Sequence, residues 1–383
     1  MTFEFATAAR IIFGRGTIGQ TAPLVAEMGN KALVITGQNK ARSGPLVAQL
    51  EATGVRSFLF SVPKEPTVDI IREGVEQATS AGADVVIGMG GGSVVDAGKA
   101  IAALLTNGGD LMDYLEVIGE GRAISRTPAP YVAIPTTAGT GAEVTKNAVI
   151  ESPAHGVKVS MRSPLMFPRV AIVDPELTLS LPQRMTAFTG LDALTQLIEA
   201  FVSHKATPLT DGICREGLKR ATSVKKAWEN NTDVASREDM SVASLFSGLA
   251  LANGGLGAVH GFAGPFGGMV HAPHGAVCAA LLPHVMEANI RALKKTAPDS
   301  ANLARYDEVA RILTGDVKAA ADDGVGWVKI LCKDLDVPPL SALGLTTQEF
   351  PQLIQKAKNA SSMKGNPVSL SEGELTTILE KAL

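Results

Sequence analysis

Five short apolar runs in the first 175 residues, separated by stretches of other character, constrain this chain more than anything else in it. They are Lys31–Thr36 (KALVIT), Ser57–Phe60, Val85–Met89 (VVIGM), Tyr131–Ile134 and Val170–Val173. A strand without polar and apolar alternation is covered on both faces, as parallel sheets require. Ser43–Thr53, Thr67–Ala81 and Ser93–Leu105 carry helical spacing, and Gly54 and Gly82 stand where C-caps belong. Strand and helix in repetition predict a doubly wound parallel sheet, in which ligands sit beyond the carboxyl ends of the strands.

The residues just after those strands are therefore the informative ones. Gly90-Gly91-Gly92-Ser93 follows the third run and opens a helix that continues through Asp96 to Lys99. Consecutive glycines turn backbone N–H groups inward beside the positive end of a helix, a site suited to a pyrophosphate. The bland alternative is a tight turn without a ligand, and the segment is not the GxGxxG fingerprint. Pro135–Thr145 (PTTAGTGAEVT) follows the fourth run, and its hydroxyls Thr136, Thr137, Thr140 and Thr145 are candidates for the nicotinamide side of a dinucleotide, or a plain polar loop. After the first run, Gly37 and Gln38 occupy the place where an NAD-specific site often puts an acid. Lys40 or Arg42 could meet a 2′-phosphate there, which favours NADP(H) or dual use; the alternative is ordinary surface charge.

From Pro182 the pattern becomes helical, so an α/β cofactor-binding domain over 1–180 and an all-α metal and substrate domain over 181–383 are expected. Helices are predicted over Pro208–Asn230, Arg237–Asn253, Ala301–Leu313 and Thr346–Ala360, with a last one opened by the capping box Ser371–Glu374. Within Gly254–Val285 lie four of the six histidines, and three of them, His260, His271 and His274, stand among small and apolar residues as candidate ligands. Neutral imidazoles are common ligands of divalent metals. Asp192 is the acid to add, since its neighbours Leu191 and Leu194 look buried and a buried lone carboxylate needs a cation. Its competing reading is a first-turn acid beside a Thr189 cap. Gln196 lies one turn on, on the same face. Asp84, Asp174, His155, His204 and His284 are taken as structural or surface residues.

Composition closes off other classes. With 35 Lys and Arg against 38 Asp and Glu, no electrostatic footprint for nucleic acid exists. Three scattered cysteines, Cys214, Cys278 and Cys332, read as reduced, packed residues of a cytoplasmic protein. No apolar run is long enough for a membrane span, and the N-terminal segment lacks the form of a secretory signal.

In combination, GGGSVVDAGK, PTTAGTGAEVT, VDPEL, GLDALTQLIEA and the VHGFAGPFGG…PHGAVCAALLPHV stretch resemble the iron-containing (group III) alcohol dehydrogenases over nearly the whole chain. The resemblance implies a dehydroquinate synthase-like architecture with the active site in the cleft between domains. It also implies reversible hydride transfer between NAD(P)H and a small alcohol or aldehyde, and a homodimer. Carried over by position, cofactor contacts include Gly37, Gly92, Ser93, Asp96, Thr136, Thr137, Thr145 and Lys158. Such enzymes hold iron or zinc with one Asp and three His, and Asp192, His260 and His274 match three of these. Gln196 stands where the second ligand, a histidine, is usual, so weaker binding is expected. Gly264 stands where a histidine near the substrate is common, and His271 is a candidate to replace it.

With Asp192 ionised and both imidazoles neutral, a divalent ion leaves a net charge of about +1 to face an alkoxide. The competing functions are a metal-independent reductase resembling maleylacetate reductases, a lyase resembling 3-dehydroquinate synthase, and a non-catalytic nucleotide-binding relative.

Overall fold

The computed structural model describes residues 2–383. The chain divides into two compact units, one of Ala6–Thr137 with Gly141–Leu179, the other of Ser180–Leu383 with the tripeptide Ala138–Thr140 and the N-terminal residues 2–5.

In the first unit, β1 (Ile11–Phe13), β2 (Lys31–Thr36), β3 (Arg56–Ser61), β4 (Val85–Gly90) and β5 (Tyr131–Pro135) are strands of one parallel sheet. An antiparallel hairpin, β6 (Asn147–Ser152) with β7 (Val157–Arg162), precedes the sixth sheet strand, β8 (Val170–Val173). The sheet order is β1-β8-β5-β4-β2-β3. Helices α1 (Thr21–Ala26), α2 (Gly44–Ala52), α3 (Val68–Ala81) and α4 (Gly92–Asn107) cover it. Leu33, Ile35 and Val86 pack on one face with Ile71 and Ile101, while Ala32, Val34 and Ile87 pack on the other with Val25 and Leu50. That two-sided burial is the physical reason for the unbroken apolar runs. The boundaries of α3 follow from its ends: Thr67 Oγ1 accepts from Ile70 N–H at 3.3 Å, and Gly82 leaves in the left-handed region at φ 61°. Sequence reasoning assigned neither β1 nor the β6–β7 hairpin.

Chain order and sheet order together locate a switch point. From β2 the chain steps outward to β3, returns to β4 on the other side of β2, and continues away through β5. Thr36 is level with Met89, and Gly90 with Pro135, so the loops carrying Gly37, Gly91 and Thr136 leave one end of the sheet side by side. Ligand sites in open α/β sheets form at such places.

The second unit is helical. It begins with α5 (Gln183–Val202) and α6 (Pro208–Ala221), then α7 (Val224–Glu229), α8 (Val234–Gly254), α9 (Ala258–Met269) and α10 (His274–Thr296). It ends with α11 (Ala301–Thr314), α12 (Ala321–Asp334), α13 (Phe350–Asn359) and α14 (Glu372–Ala382). The helix expected over Pro208–Asn230 is broken at Thr222 and Ser223. The Ser371–Glu374 capping box forms in both directions. Helix α5 is buried almost all round, as a central helix is. It begins seven residues before Gly190, so Asp192 is an interior residue, and the first-turn reading falls; Thr189 Oγ1 donates to Met185 O at 2.8 Å within the same helix. Helix α9 forms from a glycine- and proline-rich segment that local propensity disfavours; its burial against α10 and α13 overrides that preference. Among the described residues no single helix is long and apolar enough to cross a membrane.

Candidate active site

Asp192, His260, His274 and Cys278 converge in the helical unit, each offering a ligand atom, all within 4.8 Å of one another. Asp192 Oδ1 is buried and has no hydrogen-bond partner. His260 Nε2 lies 3.4 Å from it and His274 Nε2 3.8 Å. Two imidazole nitrogens thus face an orphaned carboxylate oxygen, an arrangement that is costly empty and suited to a cation. The burial of Asp192 opposes its ionisation, yet the two imidazoles outweigh burial and hold the carboxyl below its ordinary value. Burial likewise opposes charge on His260 and His274, and the Cys278 sulfur with the neighbouring carboxylates overrides it, raising both, His260 strongly. The pocket therefore favours positive charge.

The supports of this group come from local chain geometry. Helix α9 has no side-chain cap of its own. Its first N–H groups are taken by Glu199 of α5, whose Oε1 accepts from Val259 N–H at 2.6 Å, and by Asn366, whose Oδ1 accepts from Ala258 N–H at 3.1 Å. The other Glu199 oxygen lies 2.6 Å from His260 Nδ1, which fixes the ring and leaves Nε2 to face the cluster. A side chain at Gly257 would have its Cβ 2.8 Å from Glu199 Oε1, so this cap requires glycine. At the start of α10, a Cβ on Gly275 would stand 2.2 Å from Phe188 O. That close approach to α5 is what sets His274 beside Asp192.

The other expected site residues are placed as follows. Gln196 reaches the cluster through its nitrogen: Nε2 donates to Asp192 Oδ2 at 3.1 Å, while Oε1 accepts from Ser247 Oγ at 2.7 Å. His271 stands exposed in the turn between α9 and α10, outside the group of four. A Cβ at Gly264 would meet open space. Cys278 and Glu199 escaped sequence reasoning. Their signals were present: His274 and Cys278 are four apart on one helix face, and Asp192, Gln196 and Glu199 form an i, i+4, i+7 polar stripe on a helix otherwise apolar.

In the sheet unit, α4 starts at Gly92 with Gly91 as an N-cap that offers no side chain to the first N–H groups. Those donors stand at the switch point, next to the loops holding Gly37, Gln38, Thr136 and Thr137. Ser93 is half-buried in the first turn of α4. Asp96 and Thr145 are brought together by Lys99, a buried ammonium 3.0 Å from Asp96 Oδ1, 2.9 Å from Thr145 Oγ1 and 2.6 Å from Asn147 O. Asp96 Oδ2 also accepts from Val149 N–H at 3.0 Å, and burial lifts its carboxyl above the ordinary range in spite of Lys99. Lys158, on β7, pairs with Glu65 at 3.3 Å. Thr140 belongs to the tripeptide grouped with the helical unit. Arg42 donates to Leu177 O at 3.0 Å, and both it and Lys40 are exposed cations of that loop.

Comparison with known proteins gives this geometry a context. Residues 8–175 match the family model "Iron-containing alcohol dehydrogenase", and residues 186–383 match "Fe-containing alcohol dehydrogenase family, C-terminal". This chain belongs to the iron-containing alcohol dehydrogenase family. Alcohol dehydrogenase 4 of Saccharomyces cerevisiae (strain YJM789) is 33% identical to it over 378 residues, covering 97% of this chain and 96% of the relative. The NAD-dependent methanol dehydrogenase of Bacillus methanolicus is 31% identical over 395 residues, 100% of each. A crystal structure of a 1,3-propanediol oxidoreductase superposes with a TM-score of 0.92 at 29% identity over 100% of both chains. A sulfoacetaldehyde reductase from Bifidobacterium kashiwanohense in complex with NAD+ gives 0.89 at 28%, covering 100% of this chain and 99% of its own. As a member of the iron-containing alcohol dehydrogenase family, the chain is an oxidoreductase, an alcohol dehydrogenase or aldehyde reductase.

Proposed function

We propose that this enzyme interconverts a small alcohol and its aldehyde or ketone by metal-assisted hydride transfer with NADP(H) or NAD(H), acting as a homodimer. The observation that carries the reading is the buried, unpartnered Asp192 Oδ1 facing two imidazole nitrogens. A divalent ion bound there would polarise a carbonyl oxygen and stabilise an alkoxide, and a nicotinamide would exchange the hydride. The chain's own contribution is preorganisation. Asp192 keeps its negative charge inside the protein, and Glu199 locks His260 with Nε2 turned to the cluster. Cys278 and the apolar residues of α5 and α10 wall its inner side, while the His274 side chain is partly exposed. In the sheet unit, the uncapped start of α4 offers N–H groups to a pyrophosphate. The loop Gly37–Arg42 has no acid to repel a 2′-phosphate, and exposed Lys40 favours one, which supports NADP(H) or dual use.

The test follows NADPH and NADH absorbance with a panel of short aldehydes, using protein as purified, after chelation, and after return of zinc or iron. Stoichiometric cofactor oxidation that chelation abolishes and metal restores is expected. Full activity in the chelated enzyme sinks the metal reading, and turnover without net cofactor change sinks the oxidoreductase assignment.

A further inference from the structure

We infer that Cys278 is a metal ligand, giving this enzyme a centre of one oxygen, two nitrogens and one thiolate sulfur that selects zinc over ferrous iron. The inference rests on the metal reading above and concerns which atoms complete it.

The distances carry it. Cys278 Sγ lies 3.6 Å from His274 Nε2 and 3.8 Å from His260 Nε2. Asp192 Oδ1 lies 3.4 Å from His260 Nε2 and 3.8 Å from His274 Nε2. A tetrahedral zinc with bonds of about 2.3 Å to sulfur and about 2.0–2.1 Å to nitrogen and oxygen spaces its sulfur and nitrogen ligands about 3.6 Å apart, and nitrogen and oxygen about 3.3 Å apart. Four of the six edges therefore lie within about 0.5 Å of those of such a tetrahedron, and all the ligand atoms lie within 4.8 Å of one another. His274 and Cys278 reach it from adjacent turns of α10, the i, i+4 relation that puts two side chains on one face.

Gln196 is the competing fourth ligand. Its carbonyl oxygen is engaged by Ser247, and the amide end facing the cluster is the nitrogen, which has no lone pair for a cation. As an outer partner it orients Asp192, which is a positioning role. The other two cysteines face no such company: Cys332 Sγ donates to Ala279 O, and Cys214 lies in the apolar core.

The consequences are chemical. Thiolate is a soft ligand that favours zinc over the harder-ligand preference of ferrous iron, and zinc also ranks above ferrous iron in intrinsic affinity. With a carboxylate and a thiolate both bound, a divalent ion has zero formal charge at the site, where the sequence alone led to +1. Binding should be tight, and a substrate oxygen must enter as an added ligand against a weaker net pull.

The test uses full-length protein freed of metal by chelation, with its fold checked by circular dichroism, and cobalt(II) as the probe. Wild type should bind one cobalt per chain with a thiolate-to-cobalt charge-transfer band in the near ultraviolet, which stoichiometric zinc removes. Cys278→Ser and Cys278→Ala should still take up cobalt but lack the band. Their zinc affinity should fall at least about tenfold, the smallest loss expected even for an outer partner of a ligand, while ferrous iron affinity changes less. Cobalt binding that Asp192→Asn abolishes, but that shows no such band in wild type, overturns the sulfur ligand and leaves the metal reading intact. A band that persists in Cys278→Ser overturns the sulfur ligand as well. Wild type that binds no cobalt, or binds it as well when Asp192 is Asn, overturns the metal centre itself.

Discussion

Two buried polar clusters, one in each unit, differ in a single respect. Around Lys99 the charges close on themselves: an ammonium with 1% exposure meets Asp96, a threonine hydroxyl and a backbone carbonyl. Around Asp192 they do not. Two carboxylates, two imidazoles and a thiol share a space with no lysine or arginine among them, and one carboxylate oxygen is left without a donor. A cluster that brings its own cation is a structural element, since removing one partner strands a buried charge. A cluster that lacks one is built to receive it. Both clusters contain residues from motifs that the family resemblance singles out, so the motif does not separate the two roles; the charge balance does.

Lys99→Met tests the closed cluster most severely. It leaves Asp96 buried without its cation, and unfolding by urea or heat should show a loss of about 3–5 kcal/mol. Asp192→Asn should differ in kind. The amide keeps a polar group beside Gln196 and the imidazoles, so metal-free stability should fall by clearly less than in Lys99→Met, while kcat/KM falls by about 100- to 1,000-fold, the scale of losing one preorganised electrostatic group. If both variants proved equally destabilised, the contrast between a closed and an open cluster would be wrong.

Glu143 sharpens the comparison from the sheet unit. Burial pushes its carboxyl up to about 7 from an ordinary 4.5, against the opposing pull of Lys99. Between those values the unfolded chain releases the proton while the folded chain keeps it, so stability falls as pH rises and levels off above about 7, by a total on the order of 3 kcal/mol. Glu143→Gln should abolish that slope, and its stability advantage over wild type in urea titrations should open steadily from pH 5 to pH 8. A constant difference across that range would mean Glu143 is ionised in the folded protein throughout. The smallest effect is expected from Glu199→Gln, which keeps a hydrogen-bonding group but removes the charge behind His260: zinc affinity should drop by about 10- to 100-fold with little change in fold stability. An unchanged affinity would reduce Glu199 to a cap for α9.

Much of this was legible in the chain itself. The apolar runs of β2 and β4 report burial on both faces, and the glycines after β4 fall at the switch point because chain connectivity puts them there. Asp192, His260 and His274 stood out as polar residues in apolar company. The β6–β7 hairpin did not, since NAVIES and VKVSMR are short and are interrupted by polar residues such as Glu151, Ser152 and Lys158. Nor did α9, whose composition argues for a loop and whose first N–H groups are capped from distant Glu199 and Asn366.

The sequence by itself determined the two-sided sheet, the helical second half and the residue types able to grip a cation, because these depend on local periodicity and side-chain chemistry. Only the tertiary structure decided which of them meet. It put Cys278 opposite Asp192, turned the Gln196 oxygen toward Ser247, and closed Lys99 into a circuit of its own. Those outcomes depend on how helices far apart in the chain approach within a few ångströms, and on glycines such as Gly275 that let them. Spacing along a chain carries no record of such approaches.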